Sequence, residues 1–373
     1  MEKTVELGTL ISPAKTVRCG NGNYPVLSMT MHNGLVFQDE KFKKAIASKD
    51  TSDYKVVYRN QLVISFPIDE GVLAAQRIVD AGIVSPAYGV WDIDQTQVLP
   101  EYLEYALRCD RAIQYYKAKL RGSTARRRSL PTPTLLAFTI PLPAIEEQES
   151  ILDRLHAAKT IIEKRETQIR TLSNLIKARF VEMFENRYPI VILGDVIKTT
   201  SGGTPSKAHP EYYDGGSIPW LTSGEVNAGV ITTIKNYITV DGMRNSSAKM
   251  IPSNSVVVAM YGATAGVTGL LKVQSTTNQA VCSLLPTEHF VPEYLYYAVA
   301  SKKEWMISQC QGGGQPNISQ GIIKRMELID APISVQKQFA DFVTQVDKSK
   351  VVVQKALDEA QLLFDSLMQE YFG

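Results

Sequence analysis

EEQESILDRLHAAKTIIEKRETQIRTLSNLIKARFVEMF, residues 146–184, contains neither proline nor glycine, and its apolar residues recur with a helical period. Stepping alternately by four and three from Ile151 meets Leu155, Ala158, Ile162, Arg165, Ile169, Leu172, Ile176, Arg179 and Met183, a seam broken only by two arginines. The same stepping, displaced by 188 residues, lands on Phe339, Val343, Val346, Lys350, Val353, Leu357, Ala360, Phe364, Leu367 and Tyr371. About 39 residues rising about 1.5 Å each make a rod of roughly 58 Å, longer than one small domain covers. The economical partner for one seam is the other, paired antiparallel with the intervening blocks at opposite ends. The same period also suits two separate surface helices, each on its own domain.

The blocks between the seams repeat one another. Leu193-Gly194 answers Leu7-Gly8, Ile218 to Leu221 answers Tyr24 to Leu27, and Ser253 to Val258 answers Arg59 to Ile64. Pro292 to Ala298 matches Pro100 to Ala106 at six of seven positions. In the first block, Leu62 to Phe66 and Ala87 to Val90 read as strands, Leu99 to Leu120 as a helix begun by Pro100, and Phe138 to Leu142 as a strand. An internal duplication follows. The expected fold class is α+β: two mixed α/β domains at 1–145 and 187–333, separated by a pair of long antiparallel coiled-coil helices at 146–186 and 334–373, with a pseudo-twofold repeat.

Composition sets bounds on function. Of 373 residues, 44% are apolar and 21% charged, which is ordinary for a soluble globular protein. The opening residues lack the apolar core of a signal peptide and no apolar run reaches the length of a membrane span, so a cytoplasmic protein is expected. Cys19, Cys109, Cys282 and Cys310 are scattered, which suggests neither a disulfide framework nor a zinc site. The net charge is only +2, yet residues 1–145 carry 18 Lys and Arg against 14 Asp and Glu, and no acidic residue lies between Asp110 and Glu146. That segment is a local positive field.

Catalytic patterns are missing. His32, His156, His209 and His289 are not spaced as ligands, Gly262 to Gly266 has no following Lys-Ser or Lys-Thr to meet a phosphate, and Gly20-Asn21-Gly22 does not open a helix. Binding patterns are present. The loop Arg121 to Ser129 combines the guanidinium forks of Arg121, Arg126, Arg127 and Arg128 with the small hydroxyls of Ser123 and Thr124, a set suited to phosphates or guanine edges. A solvated charged loop is the alternative. In the second block the equivalent loop offers the amides of Gln315 and Asn317, suited to adenine edges, with Lys324 and Arg325 close behind.

The order of parts resembles the specificity subunit of type I restriction-modification enzymes. The resemblance rests on Gly202 to Ser206, Ile218 to Glu225, Met260 to Thr264, Thr277 to Cys282 and Gly314 to Ser319, and on the helix entries Ile140 to Gln148 and Ala331 to Gln336. The first copy lacks the Gly-Gly-Thr-Pro segment and the Tyr-Gly loop. The resemblance implies a non-catalytic DNA-recognition subunit without a cofactor or metal of its own. Its implied partners are duplex DNA with a bipartite target, two modification subunits that bring S-adenosylmethionine and methylate adenine, and restriction subunits that use ATP and magnesium. Each target-recognition domain would read one half-site while the helices set the gap. DNA advances about 34 Å per turn, so shortening both helices should change that gap. Carried over by motif, the contacts of the second domain are Thr204, Ser206, Ser223, Glu225, Tyr261, Thr264, Asn278, Gln279, Gln315 and Asn317; the arginines and hydroxyls of the basic loop serve the first. Two other readings remain: a duplicated recognition module of another methyltransferase system, and a coiled-coil scaffold that binds only protein.

Overall fold

The computed structural model of the chain describes residues 4–31, 33–41, 50–120, 130–310 and 316–373. Two helices of 40 residues each, Ile145–Phe184 and Ile333–Phe372, take the two seams. All twenty seam residues are buried or half-buried, as a stripe recurring on one helix face requires. The chain divides into two compact units, Met1–Glu166 with Lys355–Gly373, and Thr167–Gln354. Each unit therefore holds the start of one long helix and the end of the other.

In the first unit a four-stranded antiparallel sheet runs in the order Ile11–Pro13, Gly89–Ile93, Leu62–Ile64, Leu73–Ala75. Both faces of Leu62–Ile64 are covered: Leu62 enters the core with the helix Pro100–Arg108, while Val63 packs with Leu27 and Val84 on the other side. This explains an unbroken apolar run where a half-buried strand would alternate. Tyr102 is fully buried, donates its hydroxyl to Pro141 O at 3.2 Å and packs, tilted, with its ring centroid 5.0 Å from that of Phe372, from the end of the second long helix. The two helix segments in this unit run antiparallel, since Arg154 donates to the Tyr371 hydroxyl at 2.7 Å while Ile162 and Phe364 line one cleft.

The second unit repeats the plan. Its sheet order is Thr199–Ser201, Val281–Leu284, Val256–Ala259, Thr268–Leu271, with Val230–Ile231 added at the edge. Val256 and Val258 face the helical core and Val257 and Ala259 the opposite one, so this strand too is apolar throughout. Tyr294 donates to Ile329 O at 2.6 Å and meets Phe184 at 4.6 Å, as Tyr102 meets Phe372. Phe184 and Arg179 of the first long helix lie beside Phe339 and Phe342 of the second, again antiparallel. Asn60 and Asn254, in matched turns before the central strands, both take left-handed φ values, 69° and 65°. Asn tolerates that region better than any branched residue.

One expectation needs correcting. Leu99 to Leu120 is not a single helix but two, Pro100–Arg108 and Asp110–Lys119, parted at Cys109, whose ψ of 161° is extended. The thiol donates to Ala106 O at 3.2 Å, and the break lets both segments bury Leu107 and Ala112 in one core. Among the described residues, no helix is long and apolar enough to cross a membrane.

Candidate nucleic-acid interface

In the second unit the motif loops leave the ends of strands belonging to two sheets. The strand Ile218–Leu221 lies parallel to Thr276–Thr277 and antiparallel to Tyr237–Ile238, beside the five-stranded sheet. The segment Gly202 to Pro205 crosses from one sheet to the other. It lies so close that a Cβ on Gly202 would stand 1.8 Å from Thr277 O, and one on Gly203 2.7 Å from Ala248 N. The paired glycines are thus explained by close backbone approach. Gly203 N donates to Thr277 O at 2.9 Å, the Trp220 indole donates to Gly203 O at 3.0 Å, and the Tyr213 hydroxyl donates to Pro205 O at 2.5 Å. Trp220 and Tyr213 hold this segment through their polar ends; Trp220 belongs to the motif Ile218 to Glu225, while Tyr213 lies outside the motifs read from the sequence.

A chain of backbone bonds then ties four loops into one rim. Asn278 N donates to Leu221 O at 3.0 Å, Met260 N to Ala280 O at 2.8 Å, and Ile318 N to Met260 O at 2.8 Å, while Tyr261 and Asn317 form an isolated antiparallel bridge. Thr204 donates its hydroxyl to the Gln279 side-chain oxygen. Among the residues named from the motifs, Thr204, Ser223, Tyr261, Thr264, Asn278, Gln279 and Asn317 are brought together here. Tyr261, Gln279 and Asn317 are exposed and the other four half-buried. Ser206 is exposed one residue beyond the cross-over and accepts from Ala208 N at 3.3 Å. Gln315 lies outside the described residues, as do Arg121, Ser123, Thr124, Arg126, Arg127 and Arg128.

Glu225 has a different setting. Its carboxylate accepts from Thr222 N at 3.1 Å, the Thr222 hydroxyl at 3.1 Å, Lys235 N at 2.8 Å and the Asn236 amide at 2.8 Å. Burial pushes this carboxyl up, but the four donors together outweigh it and hold the group below its ordinary value. Its lone pairs are spent on fastening the loop that carries Ser223 to the segment around Asn236. The partner Asn236 was invisible in the sequence because eleven residues separate it from Glu225, whereas Thr222 lies three residues away within the same motif.

The rim offers amides, hydroxyls and one exposed phenol, a set that donates to and accepts from base edges and phosphates. Among its described residues it presents no thiol. Cys282, on the strand Val281–Leu284 of the same unit, is buried and its pKa is pushed up to about 12 by that burial. Lys324 and Arg325 are exposed at the end of the short helix Gln320–Lys324, whose first residue donates to the Thr199 hydroxyl at 2.7 Å.

Residues 187–360 match the family described as Type I restriction modification DNA specificity domain. The Escherichia coli EcoR124I/EcoR124II specificity subunit is 23% identical over 223 residues, 56% of this chain and 55% of that protein. The Methanocaldococcus jannaschii MjaIX specificity subunit is 26% identical over 173 residues, 43% of this chain and 40% of that one. The chain spans about half the length of the relatives it matches, or less. Two solved structures share its fold. One, from a study of complex assembly and conformational transition of the type I R-M system, has a TM-score of 0.62 at 16% identity, covering 99% of this chain and 97% of the other. The second, the S subunit of a type I restriction-modification system from M. genitalium, has a TM-score of 0.55 at 14% identity, covering 100% and 96%. The motif loops gathered on one rim thus lie within residues 187–360, the part of the chain that is similar to a type I restriction modification DNA specificity domain, and the repeated α+β unit shares its fold with these two solved structures.

Proposed function

We propose that the chain is the sequence-specific DNA-recognition subunit of a type I restriction-modification complex, with each unit reading one half of a bipartite target. The observation that carries this reading is the rim of the second unit, where loops distant in sequence present Thr204, Tyr261, Gln279 and Asn317 on one rigid frame. That a second unit of the same strand order exists with different loop residues supports two different half-sites. The long helices set the gap between half-sites, and their outward faces dock two modification subunits. S-adenosylmethionine, ATP and magnesium act on those subunits and on the restriction subunits, and this chain contributes recognition without catalysis. The domains are 1–145 and 187–333, each with a helical spacer behind it.

The test is a gel shift of the full chain with and without a modification subunit, together with sequencing of methylated adenines in cells that express both. Selective retention of duplexes carrying one split motif supports the reading. A complex that forms but shows no preference among duplexes returns the chain to the class of protein-only scaffolds.

A further inference from the structure

The cross-over between sheets differs between the two units in a way that assigns a site to the first. There the cross-over is the segment Ala14 to Cys19. Ala14 N donates to Val90 O at 3.1 Å on the four-stranded sheet, then Val56 N donates to Val17 O and Cys19 N to Tyr54 O, both at 2.8 Å, on the ribbon Lys55–Tyr58 with Ala81–Val84. In the second unit the segment is pressed flat against Thr277, with no space even for a Cβ on Gly202. In the first it stands off, and a groove of 290 Å³ opens between Lys15, Thr16, Lys55, Gly89, Trp91 and Thr132.

Two lysines, Lys15 and Lys55, line this groove, and Arg18 stands beside Lys55. Lys55 donates its ammonium to Tyr88 O at 2.7 Å, which leaves two further protons to give. Arg18 pairs with Lys55 as a backbone bridge, and its guanidinium is 3.1 Å from the Asp53 carboxylate. Lys15 is exposed on the groove's edge. Burial, and after it the charge of the neighbouring Arg18, push the Lys55 pKa down. A cluster of like charges in a concave place is relieved by an anion.

We propose that the groove lined by Lys15 and Lys55, with Arg18 beside it, binds backbone phosphates of the DNA half-site read by the first unit. Point-charge ammoniums grip phosphates without regard to sequence, so these residues fix register and leave base choice to other loops. The inference rests on the reading of the chain as a DNA-recognition subunit.

The test uses the full chain in complex with its modification subunits and a duplex carrying its methylation target. Binding is followed from about 50 to 200 mM salt for wild type, for the triple variant K15Q/R18Q/K55Q, and for K15R/K55R as the charge-keeping control. The triple variant should bind at least about tenfold more weakly, with a salt slope lower by about two to three because each lost phosphate contact removes about 0.9. The control should keep the wild-type slope. Phosphate-ethylation interference should disappear in one half-site only. A triple variant with wild-type slope and unchanged interference overturns this inference while leaving the recognition reading standing. Inorganic phosphate that binds wild type tightly and not the variant, with no change in the DNA slope, also overturns it, because the groove would then hold a small anion. A wild-type complex that binds no duplex removes the recognition reading, and this inference with it.

Discussion

Gln148 and Gln336, 188 residues apart, make the same three hydrogen bonds at the starts of the two long helices. Gln148 accepts from Leu99 N at 2.9 Å and donates to Gln97 O and Pro143 O, both at 2.9 Å. Gln336 accepts from Val291 N at 2.8 Å and donates to His289 O at 3.2 Å and Ala331 O at 2.8 Å. Both side chains are fully buried, and each fastens the first turn of a long helix to the residue before the Pro-initiated helix of its unit. A carboxamide fits because the site needs one acceptor and two donors, which no other side chain of that length supplies.

Gln148→Ala and Gln336→Ala should each destabilise the protein by about 2–4 kcal/mol, since each strands one buried N–H and two carbonyls. Gln→Glu at either position should do no better, because a carboxylate satisfies the amide but faces the two carbonyls without protons. Urea denaturation of the four variants measures this. A Glu variant as stable as wild type would contradict the clamp.

Phe184 and Phe372 close the two cores from the far ends of the long helices, against Tyr294 and Tyr102. Truncation to alanine should cost about 3–5 kcal/mol at each position. Hydrogen exchange should locate the loss. Phe372→Ala should deprotect the amides of Pro100–Arg108, and Phe184→Ala those of Pro292–Ala300. Deprotection of the other helix in either case would contradict the pairing.

These two phenylalanines also mark where reading the sequence stops. The seams were legible because a helix places every third or fourth residue on one face, and that regularity is local. Phe184 and Phe372 each stand one residue beyond the last seam position, so periodicity alone gave them no role; their partners lie more than a hundred residues away. The seam's own irregularities resolve in a similar way. Arg179 lays its guanidinium 5.8 Å over the Phe342 ring and reaches Glu182 at 2.8 Å, and Lys350 reaches Asp347 at 3.3 Å, so their stems fill the seam while their charges leave it. The motif loops of the second unit were legible as residue types and illegible as contacts. Glu225 has the look of a ligand-facing acid in sequence, and only the fold reveals four donors around it. The groove at Lys15 and Lys55 was hidden for the same reason, since it joins residues forty apart.

Gly202→Ala tests the flat cross-over. The added methyl would overlap Thr277 O, so the parallel pairing of Thr276–Thr277 with Ile218–Leu221 must shift, with a cost of about 1–3 kcal/mol. Gly224→Ala serves as control: nothing lies within 4 Å of its Cβ position and its φ is −67°. Thermal melts of the pair should separate clearly, the control matching wild type. Equal melts would mean that the rim has slack at Gly202.

The Glu225 network gives the second unit a pH dependence with a definite sign. The carboxyl pKa is lower folded than unfolded, so its contribution is present above the ordinary carboxylate range and disappears as pH falls through the folded value. Glu225→Gln should therefore be less stable than wild type near neutrality, and the gap between them should close as the solution is taken from about pH 6 to about pH 3. Melting temperatures of both proteins across that range decide it; a gap that widens in acid has the wrong sign.

Gln279 and Asn317 put the proposed recognition surface to the test. Both side chains are exposed on the rim, their backbones are held by the Met260 strand end, and neither supports a core. Gln279→Ala and Asn317→Ala should leave the melting temperature within about 1 °C, because surface substitutions away from packing change little. Each should cost about 1–3 kcal/mol of discrimination at one base pair if the amide bonds a base edge in two places. Competition binding with a panel of duplexes, varied one position at a time, shows which position relaxes. The relaxed positions should fall in a single half-site, the one read by the second unit, and the other half-site should keep its full preference. Relaxation spread over both halves would mean that these amides act through the frame as a whole, and that the rim does not read DNA directly.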